Sequence, residues 1–328
     1  MQPLRSAGAI LCLHGVTSPA LPAESVVHVR VEQFESLLAA AREMGQLVPL
    51  SDLVDRHLGG RGTAGLIAVT ADDAYASLLL EAADFVRREA IPLTVFAVTQ
   101  AAAAGATYWW DRIDDLFGRV PAERWRAFED ACGLPAAYRN GQPARLGPLR
   151  PLRQWLLATH AGRWPQVLEA PLRTLEIEAR TRTRQRSMTF EELSRFAALP
   201  TVDVGVHTLS HPVLPLLADS ELMREIEISH QILRERLPNV VPVLAIPFGL
   251  FDDRTLTLAR RAGMRTSLTL AATTLARHPT GDDLPRFCLS RDDKPTKLRM
   301  RLTGLLDPGR WSWRRAGPQY PLLPSATT

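Results

Sequence analysis

Leu66-Ile67-Ala68-Val69-Thr70-Ala71-Asp72-Asp73 is an apolar run of strand length that ends in two adjacent carboxylates. Far downstream, Val202-Asp203-Val204-Gly205-Val206-His207 repeats the arrangement with an imidazole at its end, and His211 follows. Short apolar runs bounded by polar residues read as strands buried on both faces. Two more fit the pattern: Ala9-Ile10-Leu11-Cys12-Leu13 ends at His14, and the run 240–246 ends at Pro247-Phe248-Gly249. Further strands are expected at 47–50, 93–98 and 266–270.

Helical periodicity fills the gaps between these runs. Segment 31–45 carries Phe34, Leu37, Leu38 and Ala41 on one face and stops at Gly45. Helices are also expected from Ser51 to the Gly59-Gly60 stop, over 77–90, from a capping box at Thr189–Glu192, over 220–237 and over 252–262. Alternation of this kind predicts a parallel α/β architecture. Seven or eight βα units would curl into a distorted (β/α)7-type barrel, with a doubly wound sheet as the alternative. The polar groups favour the barrel. They fall at the carboxyl ends of four different strands, the face on which barrel enzymes assemble their sites.

The pattern breaks over residues 101–187, rich in Arg, Trp, Pro and Ala, which read as a helical insertion or lid within a barrel spanning 1–303. Residues 304–328 read as a C-terminal tail. Of 328 residues, 46% are hydrophobic and 23% charged, which is ordinary globular composition and excludes wholesale disorder. Net charge is only +4 and the arginines are scattered, so no nucleic-acid partner is expected. Cys12, Cys132 and Cys288 form no CxxC pair and read as free thiols of a reducing compartment. The first residues lack a long apolar signal segment, and no stretch is long enough to span a bilayer. A cytoplasmic protein is expected, with Trp311, Trp313, Arg310, Arg314 and Arg315 of the tail as the one feature suggesting peripheral membrane association.

Two carboxylates and two imidazoles delivered to one face are a sufficient kit for a mononuclear metal hydrolase. One carboxylate and two histidines can hold a divalent ion and leave positions open. The other carboxylate stays free to accept a proton from water. His207 and His211 reach one side if the chain between them turns helically. Each fragment also has a plainer reading: Asp-Asp after a strand caps a helix, and Trp109 and Trp110 pack in a core. His14 either lines the pocket or hydrogen-bonds at a strand end, and His230, inside an expected helix, is structural.

Val69-Thr70-Ala71-Asp72-Asp73-Ala74-Tyr75 resembles the Thr-Phe-Asp-Asp-Gly-Tyr motif of the polysaccharide deacetylases, the chitooligosaccharide deacetylase-like carbohydrate esterases. Gly205-Val206-His207-Thr208-Leu209-Ser210-His211 is similar to their His-Ser/Thr-x-x-His motif, and Ala245-Ile246-Pro247-Phe248-Gly249 to the Tyr-Pro-Phe-Gly variant of their third. Fainter echoes lie at Leu13-His14-Gly15-Val16, Tyr108-Trp109-Trp110-Asp111 and Leu284-Pro285-Arg286. The resemblance covers most of 8–100 and 188–290. It implies a distorted seven-stranded barrel, a divalent metal (commonly Zn2+), and hydrolysis of N-acetyl groups on amino sugars. Carried over residue by residue, it makes Asp73, His207 and His211 the metal ligands. Asp72 becomes the general base, and the Phe248 amide a donor to the oxyanion. Ala74 stands for the usual Gly, Ala245 for an Arg that orients the base, and no Leu-x-His motif supplies the acid. His278 and His14 are the candidates for that role.

Three functions are therefore expected in order: a metal-dependent N-deacetylase acting on an N-acetylated saccharide; a degraded relative that binds glycan without turnover; and an amide hydrolase for a non-sugar C–N bond.

Overall fold

A computed structural model describes residues 7–18, 27–117, 120–134, 168, 171–172, 185–275 and 283–304. The C-terminal tail with its Trp and Arg residues, and His278, lie outside the described residues.

The main sheet contains β1 (Ala9–Leu13), β4 (Gln46–Leu47), β5 (Leu66–Ala71), β6 (Leu93–Ala97), β7 (Val202–Val206), β8 (Val240–Ala245), β9 (Thr266–Leu268), β10 (Asp283–Leu284) and β11 (Phe287–Cys288). Their order is β10-β9-β8-β7-β6-β5-β1-β11, every pairing is parallel, and β4 pairs with the first residues of β5. Two short strands, β2 (Val16–Thr17) and β3 (Val29–Arg30), pair separately. The sheet curls into a partial barrel, and its two end strands β10 and β11 are joined by Pro285 and Arg286 alone. The distorted barrel read from the sequence is thus present, with its seam open between these two strands.

Every residue of β1 and β6 is buried. Parallel strands covered on both faces need such continuous apolar runs. The inner face leaves little room. A Cβ at Gly205 in β7 would collide with the ring of Phe96 in β6, so only glycine lets those two neighbours coexist.

On the outer face lie α1 (Val31–Met44) and α3 (Ala83–Arg88), whereas α2 (Leu50–Leu58) packs Leu50, Leu53 and Val54 against Ile10, Ala68 and Phe96 of the inner face, and α4 (Thr99–Ala104) follows β6. The segment leading to α3 opens with a π turn at Leu78–Ala82, a widening of a helix read from sequence as continuous. Ser51 falls inside α2, which Pro49 precedes as its N-cap, so the expected serine cap is corrected. The described part of 101–187 includes α5 (Trp109–Phe117) and α6 (Ala122–Ala131).

The chain re-enters the barrel through α7 (Phe190–Ala197), whose capping box is formed as the sequence predicts. Thr189 Oγ1 accepts from the Glu192 amide at 3.2 Å, Glu192 accepts from the Thr189 amide at 2.9 Å, and Arg186 donates twice to the same carboxylate at 2.6 Å. Just before it, Arg186 to Met188 lies along the loop after β5. Ala76 N donates to Arg186 O at 2.8 Å and Met188 N to Ala74 O at 2.7 Å. The returning segment therefore clamps the loop that carries the paired carboxylates. The last described helices are α8 (Asp219–Arg236), α9 (Asp253–Arg261) and α10 (Pro295–Leu302). Among the described residues no helix is long and apolar enough to cross a membrane.

Candidate metal and catalytic site

β5 ends by turning Asp73 and Ala74 into the left-handed region, at φ 68° and 48°. For residues with a Cβ this conformation costs roughly 1–2 kcal/mol each and persists only where surrounding bonds over-determine it. Those bonds are present. Asp72 N donates to Leu13 O at 2.9 Å, the Tyr108 hydroxyl to Asp73 O at 2.7 Å, and Met188 N to Ala74 O. Ala74 thus occupies the positive-φ turn for which glycine is the easier residue.

The turn aims Asp73 at β7's exit. Asp73 Oδ1 lies 3.5 Å from His207 Nε2 and 3.6 Å from His211 Nε2. The segment between the two histidines is not helical, and here the sequence expectation is corrected. Thr208 and His211 take positive φ (66° and 61°), and the His211 amide donates to Thr208 Oγ1 at 3.0 Å, folding a tight irregular turn. Glu225 of α8 holds it from outside, accepting from Leu209 N at 3.0 Å, Ser210 N at 2.8 Å and Ser210 Oγ at 2.7 Å. Ser229, one turn further along α8, donates to Thr208 O at 3.0 Å.

The donor set suits a divalent cation. His207 Nδ1 lies 2.8 Å from Ala245 O, a carbonyl that can only accept, so the proton sits on Nδ1 and Nε2 faces Asp73 as a lone pair. Burial, aided by His207, pushes His211 down to about 3, so its imidazole is neutral at physiological pH. Asp73 Oδ1 and His211 Nδ1 are buried without a hydrogen-bond partner. Ligands of a tetrahedral zinc-like site, bonded at about 2.0–2.1 Å, stand roughly 3.3–3.4 Å apart. The spacings from Asp73 to the two imidazoles fall close to that, too long for good hydrogen bonds and right for shared ligation. Glu225→Ala is expected to weaken metal affinity about 10- to 100-fold, because residues that orient ligands typically cost that much when removed. Equilibrium metal competition measures it, and unchanged affinity would show the turn to be self-supporting.

Asp72 points the other way, to Arg286. The guanidinium donates to Oδ1 at 2.7 Å and to Oδ2 at 2.8 Å, and both residues are buried. Burial alone would raise the Asp72 pKa; the adjacent Arg286 charge, then His207, overcome this and hold it well below the usual carboxylate range. Arg286 also donates to Thr70 Oγ1 and Thr269 O, at 3.3 Å each. The alanine at 245 therefore does not leave the base unheld. An arginine from the β10–β11 seam takes the place that the sequence left empty on β8.

Aromatic rings wall the other side. Tyr108 and Trp110 stack at 4.6 Å between centroids, and Trp110 and Phe248 approach the His211 ring at 5.0 and 4.5 Å. Phe248 itself has φ 58°, in a turn directly after β8. The Tyr75 hydroxyl donates to Asp111 at 2.6 Å and accepts from Trp110 Nε1 at 2.8 Å, which ties α5 to the β5 loop. Trp110 is thus half-buried at the site's wall. His14 follows β1, half-buried. Burial lowers its pKa, but negative charge on the neighbouring Cys288 sulfur, then on Asp73 and Asp72, outweighs this and raises it to about 9.

The structure accordingly gathers Asp73, His207 and His211, with Asp72, Phe248 and His14 in the same carboxyl-end region. Sequence reasoning passed over Arg286, Glu225 and Tyr108 as working residues. Arg286 left a trace, a lone charge within the apolar Leu284-Pro285-Arg286-Phe287-Cys288-Leu289. Glu225 left none, since it reads as one of several acids on an amphipathic helix.

No curated protein sequence matches the chain. Among solved structures, it resembles IcaB from Ammonifex degensii with a TM-score of 0.58 at 16% identity, covering 92% of this chain and 100% of that one. The Streptococcus pyogenes deacetylase PplD in complex with acetate gives 0.56 at 13%, covering 91% and 99%. A de-N-acetylase from Aggregatibacter actinomycetemcomitans gives 0.56 at 10%, covering 90% and 100%. At such identities the likeness establishes the fold. The polysaccharide deacetylase family model matches residues 155–267, which include His207, His211 and Phe248 but not Asp72, Asp73 or Arg286. Across that stretch the sequence matches the polysaccharide deacetylase model, and across most of its length the chain has the fold of these solved structures.

Proposed function

We propose that the protein is a divalent-metal-dependent hydrolase, with Zn2+ the favoured ion, that removes N-acetyl groups from amino sugars of a polysaccharide or glycan precursor. One observation carries this reading: a buried Asp-His-His donor set beside a second buried carboxylate that Arg286 keeps ionised.

In the reaction water adds to the amide carbonyl, and acetate and a free amine leave. Asp72 takes the proton from the attacking water on Oδ1, which accepts from Arg286 and retains a lone pair, whereas Oδ2 accepts from both Arg286 and Cys12. Because Arg286 also weakens Asp72 as a base, the water must itself be acidified, which is the chemistry a divalent ion held by Asp73, His207 and His211 supplies when bound. The Phe248 amide donates to the developing oxyanion. His14 hands a proton to the departing amine, the only imidazole among the described residues left over beside these carboxylates. Trp110 and Phe248 offer apolar ring faces to the sugar.

The test measures acetate released from N-acetylglucosamine oligomers by metal-loaded protein, alongside metal content. His207→Ala is expected to lose both together. Sugar binding without acetate release would instead support a non-catalytic glycan binder, and activity confined to formyl or cyclic amides would support a different amide hydrolase.

A further inference from the structure

A second cluster of soft ligands lies directly behind Asp72. Cys12, in β1, and Cys288, closing β11, are direct partners in the parallel ladder. Partnered residues of a ladder present their side chains on the same face. His14 follows Cys12 by two positions and lies at the same edge of the sheet. Both sulfurs and one nitrogen of His14 fall within 4.8 Å of one another. The Nδ1 atom of His14 is buried without a hydrogen-bond partner. The third cysteine, Cys132, closes α6 and has no part in the cluster.

We infer that Cys12, His14 and Cys288 form a second metal site, distinct from the Asp-His-His set, which takes a thiophilic divalent cation of the zinc class. Two thiolates and an imidazole make a recognised three-ligand zinc set with a fourth position open. Thiolates also select against the hard cations that an all-oxygen site would accept. With metal–sulfur bonds of about 2.3 Å and metal–nitrogen bonds of about 2.0–2.1 Å, the ligands would stand roughly 3.5–3.8 Å apart. From the observed spacing, small side-chain rotations suffice. The neighbouring Arg286 does not repel the ion strongly, since its charge is matched by the Asp72 carboxylate it grips.

Loading releases to solvent the protons held by the two sulfurs and by the ligating nitrogen of His14, as two metal–sulfur bonds and one metal–nitrogen bond form. It also ends the contact between Cys12 Sγ and Asp72 Oδ2, now 3.5 Å. Occupancy would therefore be felt at Asp72. The inference stands without the proposed deacetylation, and with the site loaded His14 is engaged as a ligand and does not serve as proton donor to the amine.

Cobalt(II) distinguishes the two sites, because only thiolate ligands give an intense near-ultraviolet charge-transfer band. Reduced full-length protein carrying His207→Ala, which disables the Asp-His-His set, is titrated with Co2+. The band is expected to saturate at one equivalent, to vanish in Cys288→Ser and in Cys12→Ala, and to persist in Cys132→Ser. Circular dichroism checks that each variant is folded, and Cys288→Ser, at a half-buried position, decides alone should Cys12→Ala unfold. Absence of the band, its survival without Cys288, or its dependence on Cys132 overturns the inference.

Discussion

Asp72→Asn is expected to lower the rate of acetate release about 100- to 10,000-fold, the usual contribution of a positioned acid or base. Metal content should remain at the wild-type level. The two outcomes are separable because adjacent carboxylates leave β5 in different directions: Asp73 toward the imidazoles and Asp72 toward Arg286. Asparagine keeps the shape and can still meet one arm of the guanidinium, but it cannot take a proton from water. Acetate release and metal analysis on the same preparation make the comparison. Loss of metal in Asp72→Asn would mean that both carboxylates ligate and would remove the base from the scheme. Full activity would do the same from the other side.

Arg286→Met should destabilise the fold by about 3–5 kcal/mol, the usual cost of stripping one partner from a buried ion pair. Methionine fills much of the volume, so the loss reflects an uncompensated carboxylate more than a cavity. The double variant Asp72→Asn/Arg286→Met should recover much of the deficit, because the orphaned charge is then gone. Denaturant unfolding of the wild type, both single variants and the double variant closes this cycle. Stability also acquires a pH signature. The folded-state pKa of Asp72 is depressed, so the pair's contribution is fully present above the unfolded value of about 3.9 and declines as pH falls below it. The gap between wild type and Arg286→Met should therefore be widest near neutrality and narrow in acid. A gap independent of pH, or a double variant worse than the sum of the singles, would show that Arg286 acts by packing and not by its charge.

Most of the architecture was readable because strand and helix follow local periodicity. The run ending at His14 is a continuous apolar stretch, and those ending at Asp72 and His207 are apolar but for Thr70 and Asp203, as strands covered on both faces largely must be. The positions of the polar groups at carboxyl ends came with them. Short strands were a different matter. β10 and β11 have two residues each, too few to show any period, yet they place Arg286. For the turn from His207 to His211, the i, i+4 spacing suggests a helical route to one side, which the chain does not take. Its conformation is instead imposed by Glu225 and Ser229 from α8, which no local pattern announces.

The chain's own order of residues determined the curled parallel sheet, the face on which chemistry would gather, and the Asp-His-His donor set with a spare carboxylate. These are consequences of short-range patterning and of residue type. Only the tertiary structure decided how Asp72 is held, since Thr70, Asp72 and Arg286 are brought together across more than two hundred residues by the meeting of β5, β1 and the seam. It alone decided, too, that Cys12 faces Cys288. Such pairings depend on strand order and register, which arise when distant segments bury their surfaces together, and which the linear spacing of the side chains does not encode.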